Sequence, residues 1–307
     1  MQARAKNKYG GYAFSAVLLT LLFLFIRELS IINAAVRKAL VLCADAIIPS
    51  LFPFLILSDL LLSTPATEKA LTAFSLPIAK VLHLSPVGGT CFLLGNLFGF
   101  PIGARMVAEY YRSGMLEKKE AERLLLFCGN ASPFFLIGSV GSRMLSSIKA
   151  GVFLYLLQFS LSLTTGLALG WLCGRGQKAA TPFPTRIGRN KGFTEIVQSA
   201  ALQMLYICAY ILFFSALSAA FLPYIESTPL AALTVSLLEI GNASAYASRL
   251  SAPRSLAFCA FAASFSGLSV YFQTLDCLKD THLSTKAYLP TKLLCGGVAF
   301  FISRFFY

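Results

Sequence analysis

Long apolar runs fill this 307-residue chain and constrain most strongly what it can fold into. Hydrophobic residues make up 57% of the sequence and charged residues only 13%, and the mean hydropathy is +0.72. Soluble domains carry about 25% charged residues, so a chain this apolar cannot cover its core with polar surface in water. The sequence therefore predicts an all-α polytopic membrane protein. It argues against a soluble enzyme, a disordered protein and a secreted disulfide scaffold.

The sequence lacks the motifs of common enzymes and of ATP-driven pumps. It contains no G-x-S-x-G, H-E-x-x-H or Walker A pattern, and its eight cysteines lie far apart with no C-x-x-C pair. Nucleophile elbows, zinc sites and nucleotide sites depend on those spacings. We therefore expect no enzymatic activity, no bound metal and no cofactor.

The formal net charge of +13 has a simple explanation in a membrane protein. Basic residues concentrate between apolar runs, most clearly at 175–191, where the positive-inside rule places them on the cytoplasmic side. We therefore expect a lipid bilayer as the partner of this chain and no nucleic acid.

Polar and charged stretches between the apolar runs divide the chain into four predicted segments. Residues 1–30 are predicted to form a signal-anchor transmembrane helix, since a basic stub precedes an apolar run at 12–26. Residues 31–173 form a first transmembrane half, residues 174–192 a basic cytoplasmic loop, and residues 193–307 a second half. The apolar stretches in these segments predict about eight transmembrane or re-entrant helices.

Short motifs of the first half recur weakly in the second half. The Leu-Gly-Asn at 94–96 is echoed by Ile-Gly-Asn at 240–242, and the Phe-Cys at 127–128 is echoed at 258–259. Such echoes also arise by chance in membrane sequence rich in Gly, Ala and Ser. Transporters are often built from inverted repeats, however. The echoes therefore favour a two-fold inverted repeat with broken helices.

Helix-breaking residues interrupt two apolar segments in each half, at 95–105 and 129–138 and at 241–247 and 264–273. Hydrocarbon offers backbone groups no water, so such breaks persist only where protein or a water-filled cavity satisfies them. Paired breaks indicate a binding site near the bilayer midplane, where helix N-termini favour an anion. The predicted substrate-binding residues are Asn96, Gly99, Pro101, Gly103, Arg105, Asn130, Ser132, Pro133, Asn242, Ser264, Ser266, Ser269 and Gln273.

The same residues have a second interpretation as packing residues. Gly, Ala and Ser let helices approach closely, and hydrogen bonds from Ser or Asn across helices need no ligand.

Few ionisable residues fall in apolar surroundings, where a charge usually has a functional or pairing reason. Glu239 lies beside a predicted break and is the candidate for proton coupling. Arg105 suits an anionic substrate, although an arginine that snorkels to the interface explains it equally well. Asp59 and Asp276 are compatible with helix ends.

The segment at 113–123 is polar enough to lie outside the membrane. Glu117 and Glu120 have the spacing of a capping box, with Glu in the place of the usual Ser or Thr. We predict an extramembrane turn in water and assign it no chemistry.

Five motifs resemble a known family in their order and spacing. They are IPSLFPF at 48–54, GFPIGAR at 99–105, KEAERL at 119–124, FCGNASP at 127–133 and GLSV at 267–270. Together they resemble the YlbJ family of sporulation integral membrane proteins. That family is similar to proteins with a nucleoside recognition, or Gate, domain.

The resemblance implies a multi-pass protein in the mother-cell membrane around the forespore, which moves dipicolinic acid toward the spore. A small dianion also suits paired helix N-termini and an arginine. We therefore expect a secondary transporter or facilitator of a small organic anion.

One alternative is a non-transporting component that recruits or gates a partner in spore-envelope assembly, through loops such as 175–191. The domain name suggests another, a nucleoside transporter. Homo-oligomers and other sporulation membrane proteins are further possible partners.

Overall fold

The computed structural model describes residues 2–173, 192–226 and 230–305, and every regular element within them is helical. The predicted basic loop at 174–192 lies outside the described residues, apart from Gly192. The helices are α1 (Gln2–Arg27), α2 (Leu29–Leu42), α3 (Ile48–Ser63), α4 (Pro65–Val81), α5 (Pro86–Phe98), α6 (Ile102–Arg112), α7 (Lys118–Leu125), α8 (Ile148–Cys173), α9 (Phe193–Ile225), α10 (Leu230–Leu238), α11 (Ile240–Ala247), α12 (Arg254–Phe265), α13 (Gly267–Cys277) and α14 (Tyr288–Phe305). Two π-helical segments, π1 (Cys43–Ile47) and π2 (Phe134–Met144), complete the set.

Four helical stretches in the described part of the chain are long and apolar enough to cross a membrane. They are Leu29–Ser63, Ile148–Leu172, Phe193–Ile225 and Arg254–Cys277. The pair α4 and α5 makes a fifth candidate, bent by 98°. These stretches confirm an all-helical chain with several apolar candidate spans. The total of about eight transmembrane or re-entrant helices stays a prediction, since the apolar part of α1 and the shorter segments do not meet this criterion.

The helices break within or beside the four segments in which the sequence predicts interruptions. In the first half, α5 and α6 are separated at Gly99, which has a φ of +86°, and α7 and π2 are separated by residues 126–133. In the second half, Glu239 separates α10 from α11, and Ser266, with a φ of +76°, separates α12 from α13. A positive φ at a non-glycine residue is uncommon, so Ser266 marks a local interruption within the apolar stretch Arg254–Cys277.

The two breaks of each half contact one another. A Cβ atom on Gly99 would lie 2.8 Å from the backbone nitrogen of Ser132, which belongs to the second break of the first half. A Cβ atom on Gly267 would lie 3.2 Å from the backbone nitrogen of Glu239. Backbones approach this closely only where side chains are absent. Glycines therefore bring the interrupted helices together in pairs.

Contacts between distant segments show which helix ends lie together. The carboxylate of Glu120, in the first turn of α7, accepts a hydrogen bond of 2.7 Å from the backbone of Ser85 at the start of α5. At the end of α6, Arg112 donates to the carbonyl oxygens of Cys277 and Lys279, at 3.0 and 2.7 Å. The helices α5 and α6 pack against each other as a hairpin. The outer ends of this α5–α6 hairpin therefore lie with the start of α7 and the end of α13.

The capping box predicted at Glu117 and Glu120 does not form. Glu117 is the N-cap residue of α7, but its side chain makes no capping hydrogen bond. Glu120 is 7% exposed and bonds to Ser85 instead. The prediction that it lies in water is wrong, because α7 packs against the start of α5.

Candidate functional site

A small cavity lies where the four helix breaks converge, and we call it the central cavity. Its volume is about 20 Å³, which is room for roughly one water molecule. Both halves of the chain contribute to its wall. The lining residues are Ile47, Leu51, Phe100, Ala131, Ser132, Phe135, Ile207, Ile211, Glu239, Ile240, Val270 and Gln273.

Glu239 faces the central cavity and caps a helix at the same time. Its carboxylate accepts hydrogen bonds from the backbone nitrogens of Gly241 and Asn242, at 2.8 and 2.7 Å, as the N-cap of α11. A carboxylate is favoured there because the first N–H groups of a helix lack partners within the helix. The side chain is 1% exposed. Local bonding therefore explains its presence, and its predicted role in coupling stays a prediction.

Ser132 and Gln273 bring polar atoms from opposite halves to the central cavity. Ser132 is 1% exposed, and its hydroxyl oxygen accepts a bond of 3.2 Å from the backbone nitrogen of Phe135. The amide of Gln273 donates to the hydroxyl of Ser269 at 3.3 Å, while its side-chain oxygen is buried without a hydrogen-bond partner. An unsatisfied buried acceptor costs about 1–3 kcal/mol. The oxygen of Gln273 is thus free to accept a bond from a solute.

Asn130 is the centre of a buried hydrogen-bond network beside the central cavity. Its amide nitrogen, which has two hydrogens to donate, has three acceptors within reach: the side-chain oxygen of Asn96 at 2.8 Å, the carbonyl oxygen of Phe127 at 3.0 Å and the hydroxyl of Ser162 at 3.0 Å. Its backbone oxygen accepts a bond of 2.9 Å from Phe100, which lines the cavity. The network therefore fixes the break at 126–133 relative to the break at Gly99.

Lys292 of α14 completes this network and was not predicted. It is 2% exposed, and its ammonium group donates to the carbonyl oxygen of Gly129 at 2.6 Å and to the side-chain oxygen of Asn130 at 2.9 Å. No carboxylate forms an ion pair with it within the described residues. A lysine inside the apolar stretch at 288–302 was the available signal, because charges in such stretches are costly.

A second small cavity, of about 10 Å³, adjoins Lys292. Ser264 lines it together with Asn130, Ser162 and Gln158, whose amide nitrogen donates to the carbonyl oxygen of Ala131 at 3.2 Å. Ser264 thus shares the small cavity beside Lys292 and is not among the residues that line the central cavity.

The glycines and prolines predicted for the site act through the backbone. Gly95 and Gly103 pack on either side of the carbonyl group of Cys128, so a side chain at either position would collide with it. Pro101 precedes α6 after a cis peptide bond, and Pro133 occupies the N-cap position of π2. These residues shape the breaks and offer no polar side chain to a solute.

Ser266 and Asn242 lie near the site and face other partners. Ser266 is fully buried, and its hydroxyl lies 3.4 Å from the carbonyl oxygen of Ala263 within α12. The Asn242 amide donates to the hydroxyl of Ser215 and lines a separate, larger cavity of about 500 Å³.

Arg105 is not among the residues that line the central cavity. Its guanidinium forms an ion pair with Asp59 of α3, and it also lies 3.5 Å from the side-chain oxygen of Gln203 in α9. Both charged residues are 8% exposed. The two interpretations from the sequence, substrate binding and snorkelling to the interface, stay predictions. The pair joins the α5–α6 hairpin to α3.

The described residues contain no group of three His, Cys, Asp or Glu side chains placed to hold a metal ion. At the meeting point of the broken helices they offer the buried ammonium group of Lys292, the capped carboxylate of Glu239 and a set of amide and hydroxyl groups. Such groups bind and orient a small polar solute.

Comparison with known proteins gives one informative relative. The chain matches no family model and no solved structure. It is 26% identical over 300 residues to the sporulation integral membrane protein YlbJ of Bacillus subtilis (strain 168), and the match covers 83% of this chain and 72% of the relative. This relative and the apolar helices support a membrane location. The similarity confirms the family that the motifs predict, and the chain is a relative of the YlbJ sporulation integral membrane proteins.

Proposed function

We propose that the chain is a secondary transporter or facilitator of a small organic anion that acts in sporulation. The observation that carries this proposal is the convergence of four helix breaks on one buried cavity with polar groups from both halves. Broken helices that meet at such a cavity are the usual means by which transporters build a solute site within the membrane.

An inverted repeat is part of the proposal. In the first half, a hairpin with one break (α5–α6) precedes a helix with a second break (α7–π2) and then a long helix (α8). In the second half, α10–α11, α12–α13 and α14 follow in the same order. The end of α6 lies with the end of α13, whereas the end of α11 lines a cavity with α2 and the end of π2. This arrangement supports hairpins that enter from opposite sides of the membrane.

Lys292 supports an anionic solute. Its charge has no carboxylate partner in the part of the chain that the structure describes. Hydrogen bonds to Gly129 and Asn130 hold the ammonium group at the break at 126–133. A buried cation without a counter-ion is costly, and an anion that reaches the second small cavity, which Lys292 lines, would relieve that cost. Dipicolinate, a small dianion, is the solute that the YlbJ resemblance suggests.

The small volume of the central cavity bears on the mechanism. Since about 20 Å³ accommodates roughly one water molecule, a dicarboxylate requires the breaks of the two halves to separate. Transport would then proceed by movement of one hairpin relative to the other around Ser132 and Gln273. We place this step in the mother-cell membrane around the forespore, where it would move the anion toward the spore. A relative named as a sporulation integral membrane protein supports that location.

A nucleoside is the second candidate, because the central cavity itself favours it. Glu239 and Gln273 supply a carboxylate and a free amide oxygen, and Phe100 and Phe135 supply aromatic rings in the same wall. Carboxylate and amide oxygens suit ribose hydroxyls, and aromatic rings suit a base. Lys292 adds nothing to the recognition of this neutral solute.

The test is uptake of labelled dipicolinate, a nucleoside and a simple dicarboxylate into liposomes that contain the purified protein. We expect selective uptake of dipicolinate. We also expect Asn130→Ala with Ser132→Ala to abolish this uptake, because these changes remove polar side chains from the break at 126–133. The matched control replaces Asn33, which is exposed on α2, and Ser63, at the end of α3, with Ala.

Each result of this test has a defined meaning. Uptake of the nucleoside alone would select the second candidate. Unchanged dipicolinate uptake by the Asn130 and Ser132 variant would reject the site. Absence of all uptake by folded, inserted protein would reject transport and favour a membrane component that acts through a partner, with the loop at 175–191 as the segment to replace next.

A further inference from the structure

A cavity of about 500 Å³ lies outside the central cavity, between α2, π2, α9 and the α10–α11 hairpin. We call it the vestibule. Its polar and charged lining residues include Lys38, Asp45, Arg143, Ser215, Asn242 and Arg249. At this volume it falls within the range of small-molecule sites, about 300–1,000 Å³.

The vestibule carries an excess of positive charge. Lys38, Arg143 and Arg249 contribute three cations, and Asp45 contributes one carboxylate, which leaves an excess of two positive charges. The guanidinium of Arg143 donates to the backbone carbonyl oxygen of Asp45 at 2.5 Å, which fixes Arg143 over π1. No ion pair involves Lys38 or Arg249 within the described residues. These two charges are therefore available to a solute.

Two of these charged residues lie within a candidate membrane span. Lys38 and Asp45 belong to the continuous helical stretch Leu29–Ser63. Charged side chains within such a stretch are tolerated when they face a water-filled cavity or a partner. Their position on the vestibule wall indicates that the vestibule is aqueous.

The vestibule and the central cavity share a wall. Asn242 lines the vestibule, and its backbone nitrogen donates to the carboxylate of Glu239, which lines the central cavity. Only the first turn of α11 separates the two spaces at this point. A solute in the vestibule is therefore next to the break through which it would enter or leave the site.

We propose that the vestibule is a binding site for a small organic anion, held by Lys38, Arg143 and Arg249 on its way to or from the central cavity. This inference rests on the proposed function. Three cations around a concave, low-dielectric wall raise the local concentration of an anion. The phosphate of a lipid headgroup shares this chemistry, and we assign the site to the free solute because it adjoins the helix breaks.

The test compares Arg143→Gln with Arg249→Gln, made together, against Lys149→Gln with Arg254→Gln. The control removes two exposed charges that do not line the vestibule. Dipicolinate uptake is measured in phosphatidylcholine liposomes as KM and maximal rate, at low and at high salt. We expect the vestibule variant to raise KM by about tenfold, with a maximal rate within about twofold of wild type and a weaker salt dependence. Replacement of both arginines with Lys should restore KM.

Several outcomes would overturn the inference. One is a KM for the vestibule variant equal to that of its control, in protein that transports dipicolinate. Another is a difference that appears only after phosphatidylglycerol is added to the liposomes, which would assign the site to lipid.

If the wild-type protein transports nothing, the proposed function fails, and equilibrium binding of dipicolinate to the purified protein decides the vestibule separately. Weaker binding by the vestibule variant than by its control would support the vestibule, and equal binding by the two variants would reject it.

Discussion

Replacement of Lys292 with Met tests the proposed role of this residue in anion binding separately from any role in stability. The ammonium group makes two hydrogen bonds, to Gly129 and Asn130, and each charged bond contributes about 1.5–3 kcal/mol. Burial of an ion costs several kcal/mol, so the two effects nearly cancel. Methionine fills a similar volume without the charge. We therefore expect the free energy of unfolding to change by less than about 2 kcal/mol.

The effect on transport should be much larger. Two unit charges 4 Å apart attract by about 4 kcal/mol at the effective dielectric constant of roughly 20 that suits protein sites. Loss of that attraction should lower the ratio of maximal rate to KM for dipicolinate by at least about 100-fold. Liposome uptake measures this ratio, and thermal unfolding in detergent measures stability. Lys286→Met, which removes an exposed lysine just before α14, is the control.

Two results would refute this reasoning. Wild-type uptake of dipicolinate by the Lys292→Met variant would show that the buried cation does not contact the anion. A large fall in thermal stability would show that Lys292 mainly holds α14 to the break at 126–133. Unchanged nucleoside uptake alongside lost dipicolinate uptake would be the strongest support, because a neutral solute gains nothing from the charge.

Three further predictions concern the helix breaks and their supports. Gly99→Ala should destabilise the protein by more than about 2 kcal/mol, measured by thermal unfolding, because a φ of +86° with a ψ of −175° is almost restricted to glycine. Arg105→Ala should cost about 3–5 kcal/mol by leaving Asp59 buried and unpaired, and Asp59→Asn made with it should recover much of that loss in the same measurement; no recovery would contradict the pairing. Glu239→Gln should keep the fold, since an amide oxygen can still cap α11. If Glu239 couples transport to protons, uptake by this variant should no longer respond to a pH gradient, and an unaltered response would exclude that role.

Local sequence features were sufficient to predict the class of the protein and the approximate positions of its breaks. Apolar composition determines a helical membrane protein, because backbone groups in hydrocarbon must bond within the segment. Gly99, Asn130 and Ser132 stood out because residues that interrupt a helix within an apolar run need a special environment. Those signals lie within a few positions of one another in the chain.

Local sequence features did not predict hydrogen-bond and ion-pair partners that are distant in the chain. Lys292 bonds to residues about 160 positions earlier, and Asp59 pairs with Arg105 through the contact of α3 with the α5–α6 hairpin. Glu120 illustrates the same limit, since its spacing predicts a local cap and its carboxylate bonds to Ser85 instead.

The sequence by itself therefore determined a helical membrane chain with paired interruptions, because periodicity and hydropathy are local properties. Only the tertiary structure decided which polar groups share a cavity and which buried cation lies beside them. The physical reason is that burial of a polar or charged group is tolerated only with a partner, and the packing of distant helices determines which partner is within reach.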